Sequence, residues 1–153
     1  MVTARETAWA AASSISDPEL PPLTIADLGV LRSVDADASG RIIIRITPTY
    51  SGCPAMTVIQ MEIETALDKA GIKDALVETE LSPAWSSADI SAEGRAKLAH
   101  MGIAPPPGPG ASITCPRCES AATEELSRFG ATACKSLWRC TSCLEPFEAF
   151  KAL

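Results

Sequence analysis

Six cysteines carry most of the chemistry that this 153-residue chain offers. The segments "CPRC" (Cys115 to Cys118) and "CTSC" (Cys140 to Cys143) are two C-x2-C knuckles with 21 residues between them. Each knuckle can present two thiolates to one ion, and the two together supply the tetrahedral sulfur set of a structural zinc. The separation fits a zinc ribbon with a hairpin between its knuckles. Four thiolates can also hold one iron and carry electrons; the isolated site reads as zinc.

Two cysteines stand outside the knuckles. Cys53 lies in "RITPTYSGCPAM", at the junction of an expected strand and an expected helix. Pro54 suits a first helical position, because its missing N–H would be unpaired there anyway. Cys53 would then be the N-cap, with free N–H groups and the positive helix end lowering its thiol pKa below ~8.5. One reading is a nucleophilic or metal-binding thiolate, and the other is a small hydrophobe that packs. The only histidine, His100, is expected near a helix C-terminus, where a solvated side chain is favoured. A Cys–His hydrolase is therefore poorly supported, which leaves soft metal or a sulfur-bound cluster as cargo. Cys134, six residues before Cys140, is either a buried thiol of the ribbon or a functional companion of Cys53.

The elements that must position these thiols follow from periodicity. Residues 5–15 read as a helix stopped by Asp17-Pro18. Residues 30–34 and 41–47 read as strands joined by the turn "DADASG", with Ile42, Ile44 and Ile46 on one face. From Pro54 the period changes to helical, and Met56, Ile59, Ile63, Ala66, Leu67 and Ala70 form one stripe ended by Gly71. Residues 75–81 read as a third strand, and Ser91 caps a short helix to about residue 101. The expected fold class is α+β: a small sheet with an antiparallel hairpin, covered by helices. "GIAPPPGPGAS" holds four prolines and three glycines in eleven residues, so neither helix nor strand is expected there. The expected organisation is an α+β domain over residues 1–104, a linker over 105–112 and a zinc ribbon over 113–153.

The composition narrows the partners. Net charge is -6; residues 1–104 carry 8 basic and 14 acidic side chains, and residues 105–153 carry 5 of each. Aromatic content is only 5%. Without a basic patch or a stacking platform, nucleic acid is not an expected partner. No segment approaches the ~18 apolar residues of a membrane span, and the start of the chain does not read as a signal peptide. The expected location is the cytoplasm, where closely spaced cysteine pairs serve metals rather than disulfides.

These residues also resemble a known family. Asp17-Pro18-Glu19, Asp27-Leu28-Gly29, Thr47-Pro48-Thr49 and Cys53-Pro54 resemble the small iron–sulfur assembly domain of the MIP-eighteen type. "SPAWSSADISAEGRAKLAHMGIAPP" and "CPRC…FGATACK…WRCTSCLEPFEAFK" are similar to the PaaD family of accessory proteins of the phenylacetyl-CoA ring-epoxidase system. The resemblance implies an assembly domain followed by a structural zinc ribbon. It implies a non-catalytic accessory factor of aerobic phenylacetate degradation, active in iron–sulfur cluster maturation and handling iron or a cluster transiently. Its implied partners are the oxygenase components, above all the ferredoxin-type reductase, and a second copy in a homodimer. It implies Cys53 as the reactive cysteine, with Asp17, Glu19, Thr47, Thr49 and Cys134 as companions, and Cys115, Cys118, Cys140 and Cys143 as metal ligands. Two other readings stand beside it: a structural adaptor that docks oxygenase subunits through the ribbon, and an electron carrier with iron in the four-cysteine site.

Overall fold

The computed structural model describes residues 1–50 and 52–152. They form two compact units, Met1–Trp85 and Ser86–Leu153.

The first unit opens with α1 (Ala4–Ser13). Thr3 accepts the Glu6 N–H and Glu6 accepts the Thr3 N–H, a reciprocal cap that satisfies two helix-end donors. β1 (Leu31–Ala36) and β2 (Ile42–Ile46) pair antiparallel. After α2 (Ala55–Lys69), β3 (Ala75–Thr79) adds in parallel to β2, giving the order β1-β2-β3. Ile42, Ile44 and Ile46 are buried, as the alternation predicts, and the helices pack over the sheet. On the other face Arg45 bridges Asp35 (2.9 Å) and Glu78 (3.3 Å) across all three strands. Alternation therefore separates a core face, where each fully buried isoleucine contributes about 1.5–3 kcal/mol, from a face of half-exposed ion pairs worth about 0–1 kcal/mol each. The buried stripe of α2 is Ala55, Ile59, Ile63 and Leu67. Ala70 lies outside it and is exposed, because it falls at the C-cap.

The second unit holds a 3-10 turn (Ser87–Asp89), α3 (Ala92–His100) capped by Ser91, and β4 (Ile103–Ala104). β5 (Thr123–Ser127), β6 (Lys135–Cys140) and β7 (Pro146–Phe150) complete a sheet of order β4-β7-β6-β5. Residues 105–112 contain neither helix nor strand. The division between units nevertheless falls earlier than the proline–glycine run. β4 pairs in parallel with β7, and α3 packs on β4. The Arg95 guanidinium donates to the carbonyls of Pro106 (2.7 Å) and Ser87 (2.8 Å). Proline lacks a donor but keeps its acceptor. A proline-rich run can thus be fastened through its carbonyls, and α3 and β4 join the second unit rather than the first.

Candidate functional site

The four knuckle cysteines meet. Their sulfurs all lie within 4.8 Å of one another. Among the described residues, no other three or more His, Cys, Asp or Glu side chains are gathered in this way. Cys115 Sγ is 3.7 Å from Cys143 Sγ, and Cys118 Sγ is 3.5 Å from Cys140 Sγ. Sulfurs 2.3 Å from one tetrahedral ion stand about 3.8 Å apart, so the set fits a tetrathiolate ion.

The two knuckles are built alike. In the first, the Arg117 N–H donates to Cys115 Sγ at 3.4 Å; in the second, the Cys143 N–H donates to Cys140 Sγ at 3.4 Å. The residue after each knuckle is left-handed, Glu119 at φ 64 and Leu144 at φ 66. That conformation turns the chain sharply after each knuckle.

Four crowded thiols conflict when no cation is present. The Cys143 N–H and further donors pull the Cys140 thiol down to about 6. The Glu145 N–H favours the Cys143 thiolate, yet desolvation and the neighbouring sulfurs push Cys143 up to about 12. A divalent cation resolves this conflict by binding all four as thiolates. Cys115 and Cys140 are buried together with Ala104, Phe147 and Ala149, with Ile113 and Trp138 packed against them. The metal site and the small core of the ribbon are therefore one structure.

Cys134 stays outside this group. It is buried in the second unit, with the Thr132 hydroxyl 2.9 Å from its sulfur. Its burial in the second unit agrees with the reading of a buried ribbon thiol.

The first unit gathers a second constellation around Cys53. The N-cap of α2 is Pro54 (φ -69), and Cys53 lies one residue earlier. The Ala55 N–H at the start of the helix still favours the thiolate. The expected lowering of its pKa does not follow. Burial pushes the half-buried thiol up, and the charges of Glu19 and Asp17 push the same way. The Ala55 N–H and the Tyr50 phenol oppose them and are outweighed. The helix start supplies the expected donor, but the carboxylates brought in from residues 17 and 19 lie beyond the reach of local sequence.

Asp17 and Glu19 differ in role. Asp17 is buried, and its Oδ1 accepts the N–H groups of Glu19 (2.8 Å) and Leu20 (3.0 Å), closing the turn. Burial raises its pKa despite these two donors. Asp27 of the second motif is likewise a turn residue: it accepts the Thr24 N–H and donates its own N–H to the Thr24 hydroxyl, both at 3.0 Å. Leu28, beside it, accepts the indole N–H of buried Trp85 at 2.7 Å.

Thr47 and Thr49 line a cavity of about 150 Å³ with Pro48, Tyr50, Leu81, Ala84 and Trp85. Thr47 is only 1% exposed, and its hydroxyl has no hydrogen-bond partner among the described residues. The charges of Glu19 and Asp17 act on Cys53, and its N–H donates to the carbonyl of Tyr50, a residue of the cavity lining, at 3.3 Å. Sequence reasoning misses Tyr50 and Trp85. For Tyr50 a signal exists: it is the chain's only tyrosine, three residues before Cys53 with a turn-forming glycine between.

The comparisons with known proteins cover both units. A model of the PaaD zinc beta ribbon domain matches residues 106–151, and one described as iron-sulfur cluster assembly protein matches residues 5–78. The chain is 43% identical over 151 residues to an Escherichia coli (strain K12) protein named as a subunit of a "Putative 1,2-phenylacetyl-CoA epoxidase", covering 95% of this chain and 91% of that one. It is 34% identical over 88 residues to the Bacillus subtilis (strain 168) Fe-S protein maturation auxiliary factor YitW, covering 57% of this chain and 85% of that one. The crystal structure of a DUF59 domain of unknown function from Bacillus anthracis aligns with TM-score 0.57 at 26% identity, over 62% of this chain and 91% of that domain.

Proposed function

Because the chain belongs to the PaaD family of 1,2-phenylacetyl-CoA epoxidase subunits, with an iron–sulfur assembly domain followed by a PaaD zinc ribbon, we propose that it is a non-catalytic maturation factor of that oxygenase system. In this reading Cys53 holds iron or an iron–sulfur cluster in passage to a client, the ferredoxin-type reductase component, in the cytoplasm. The observation that carries it is the half-buried thiol of Cys53, one residue before the cap of α2, with Glu19 and Asp17 near enough for their charges to act on it. Relatives of the first unit named as Fe-S protein maturation factors support the cargo. The four-cysteine group holds zinc in a structural role, with Cys115, Cys118, Cys140 and Cys143 as ligands. Zinc there would fasten the ribbon and supply no reaction step.

The test is a comparison of cells with and without the chain. Without it, the oxygenase subunits should accumulate normally while the reductase lacks its cluster, and fully loaded oxygenase should turn over in the absence of this protein. A stoichiometric requirement in a reaction of loaded components would instead support the adaptor reading. That second reading draws on one observation, the raised pKa of Cys53, which suits a packing thiol as well as a guarded one.

A further inference from the structure

We propose that the loop between β5 and β6, with the groove beside it, is a docking surface for an acidic segment of a partner protein: carboxylates of that segment pair with Arg128 and Lys151 while an apolar side chain enters the groove against Trp138. The surface acts whether or not Cys53 handles cargo.

The loop presents an exposed aromatic ring on a fixed backbone. Phe129 is 68% exposed, and the Lys151 ammonium lies 4.5 Å from its ring centroid. A single exposed phenylalanine is ordinary on a protein surface. This one is held on both sides. The Phe129 N–H donates to the Ser127 hydroxyl at 3.2 Å, and the Gly130 N–H donates to the Lys135 carbonyl at 2.7 Å. The Ala131 N–H donates to Glu148 Oε2 at 2.8 Å, and the other oxygen of that carboxylate faces the buried Lys135 ammonium at 3.5 Å. A side chain on Gly130 would run into Glu148 Oε2, so glycine is required there by space. The Lys151 N–H donates to the Cys134 carbonyl at 2.9 Å, which ties the ammonium over Phe129 to the far end of the same loop. A loop ordered in advance loses little freedom on binding, and an aromatic ring beside an arginine has the composition of an interface centre.

Charge selects the occupant. In the second unit Arg117, Lys135 and Arg139 pair with the carboxylates of Glu145, Glu148 and Glu124. Arg128 and Lys151 meet no carboxylate among the described residues. Both line a groove of about 410 Å³ whose apolar lining includes Ile113, Trp138 and Phe150. The Trp138 indole N–H already donates to the Ser136 hydroxyl at 2.8 Å, so the ring offers the groove apolar surface rather than a donor. Glu125 also lines the groove and repels an acidic segment, so charge sets where its carboxylates lie as well as drawing them in. Phe129 stands beside the groove, next to Arg128 and under Lys151. An occupant that meets ring and groove together has the size of a chain segment rather than of a small anion.

The test selects a random peptide display library on the full-length, metal-loaded protein and, in parallel, on Arg128→Glu/Lys151→Glu and on Phe129→Ser. Ribbon metal content and hydrogen-exchange protection of β6 verify that the variants fold. The parent should enrich peptides with several carboxylates around a leucine or phenylalanine. Their affinity should fall by about tenfold on each variant, the loss of one interface centre contact. On the parent it should also fall with rising salt, since exposed charges are screened beyond about 10 Å at 0.1 M. Addition of a selected peptide should move the Trp138 indole resonance. The salt dependence and the indole shift are read on the parent, so they decide the case even where a substitution unfolds the ribbon. Absence of enriched acidic peptides, or equal affinity for the parent and folded variants, overturns the proposal. A concentration-dependent dimer abolished by Phe129→Ser also overturns it, by making a second copy the occupant. Saturable binding of benzoate in place of any peptide does the same, by making a small organic anion the occupant.

Discussion

Asp17 fixes the backbone of Glu19: its Oδ1 accepts the Glu19 N–H at 2.8 Å inside a turn that also holds Leu20. The two acids of the first motif therefore do different work. Asp17 shapes the turn from within, and the half-exposed Glu19 adds charge near the thiol.

Substitutions at Asp17 should separate shape from charge. Asp17→Asn keeps an acceptor oxygen and removes the buried charge. Because burial raises the folded-state pKa of Asp17 above 3.8, its contribution to stability is present below that value and is lost as pH rises through the folded pKa. Asp17→Asn should therefore equal the parent protein in acid and exceed it near neutrality. It should also speed alkylation of Cys53. Asp17→Ala loses both bonds and should destabilise the first unit by about 1–2 kcal/mol. Thermal melts of both variants across pH check this; an Asn variant less stable than the parent at neutral pH contradicts it.

Thr47 offers a test with an unusual sign. Its hydroxyl is buried without a partner among the described residues, so Thr47→Val should leave the fold as stable or stabilise it by up to about 1 kcal/mol. A Tm that rises together with a loss of client maturation would mark the hydroxyl as kept for a ligand. A loss of more than about 1 kcal/mol would show that the hydroxyl is satisfied in solution.

Metal removal should act on one unit. The ribbon has a small core built around Cys115 and Cys140, and a structural tetrathiolate zinc supplies roughly 10–16 kcal/mol in small domains. Chelation should abolish hydrogen-exchange protection in β5, β6 and β7 and leave it in β1, β2, β3 and α2. Equal loss in both sheets contradicts this.

Leu144 is left-handed and 70% exposed, so its side chain contributes strain and little packing. Leu144→Gly should stabilise the loaded ribbon by up to about 1 kcal/mol and slow metal loss to a competing chelator. Faster loss would show that the leucine side chain supports the knuckle.

Some of these features are legible in the sequence and others are not. Ile42, Ile44 and Ile46 announce their strand because alternation is local, and the C-x2-C pairs announce a metal because two thiols per knuckle already fix half the site. The division between units escapes the sequence because the contacts that tie α3 and β4 to the second unit, Arg95 to Pro106 and β4 to β7, use backbone groups that composition does not reveal. The Cys53 environment is half legible. The helix-end donor follows from Pro54, whereas the nearness of residues 17 and 19 arises only when the chain folds back on itself. The role of Asp27 as a turn acceptor is equally hidden, whereas Asp17 beside Pro18 already reads as a helix or turn cap, which its bonds to the Glu19 and Leu20 N–H groups bear out.

The most direct measurement is the cluster content of the client reductase in cells whose only copy of this protein is Cys53→Ser. The variant should fold, because serine keeps a small polar side chain one residue before the cap of α2. It should keep its ribbon metal, because Cys53 is not among the four gathered sulfurs. The reductase should nonetheless accumulate without its cluster, since a hydroxyl is a poor ligand for soft iron. A folded, metal-loaded Cys53→Ser protein that supports a fully loaded reductase and normal growth on phenylacetate would contradict the account.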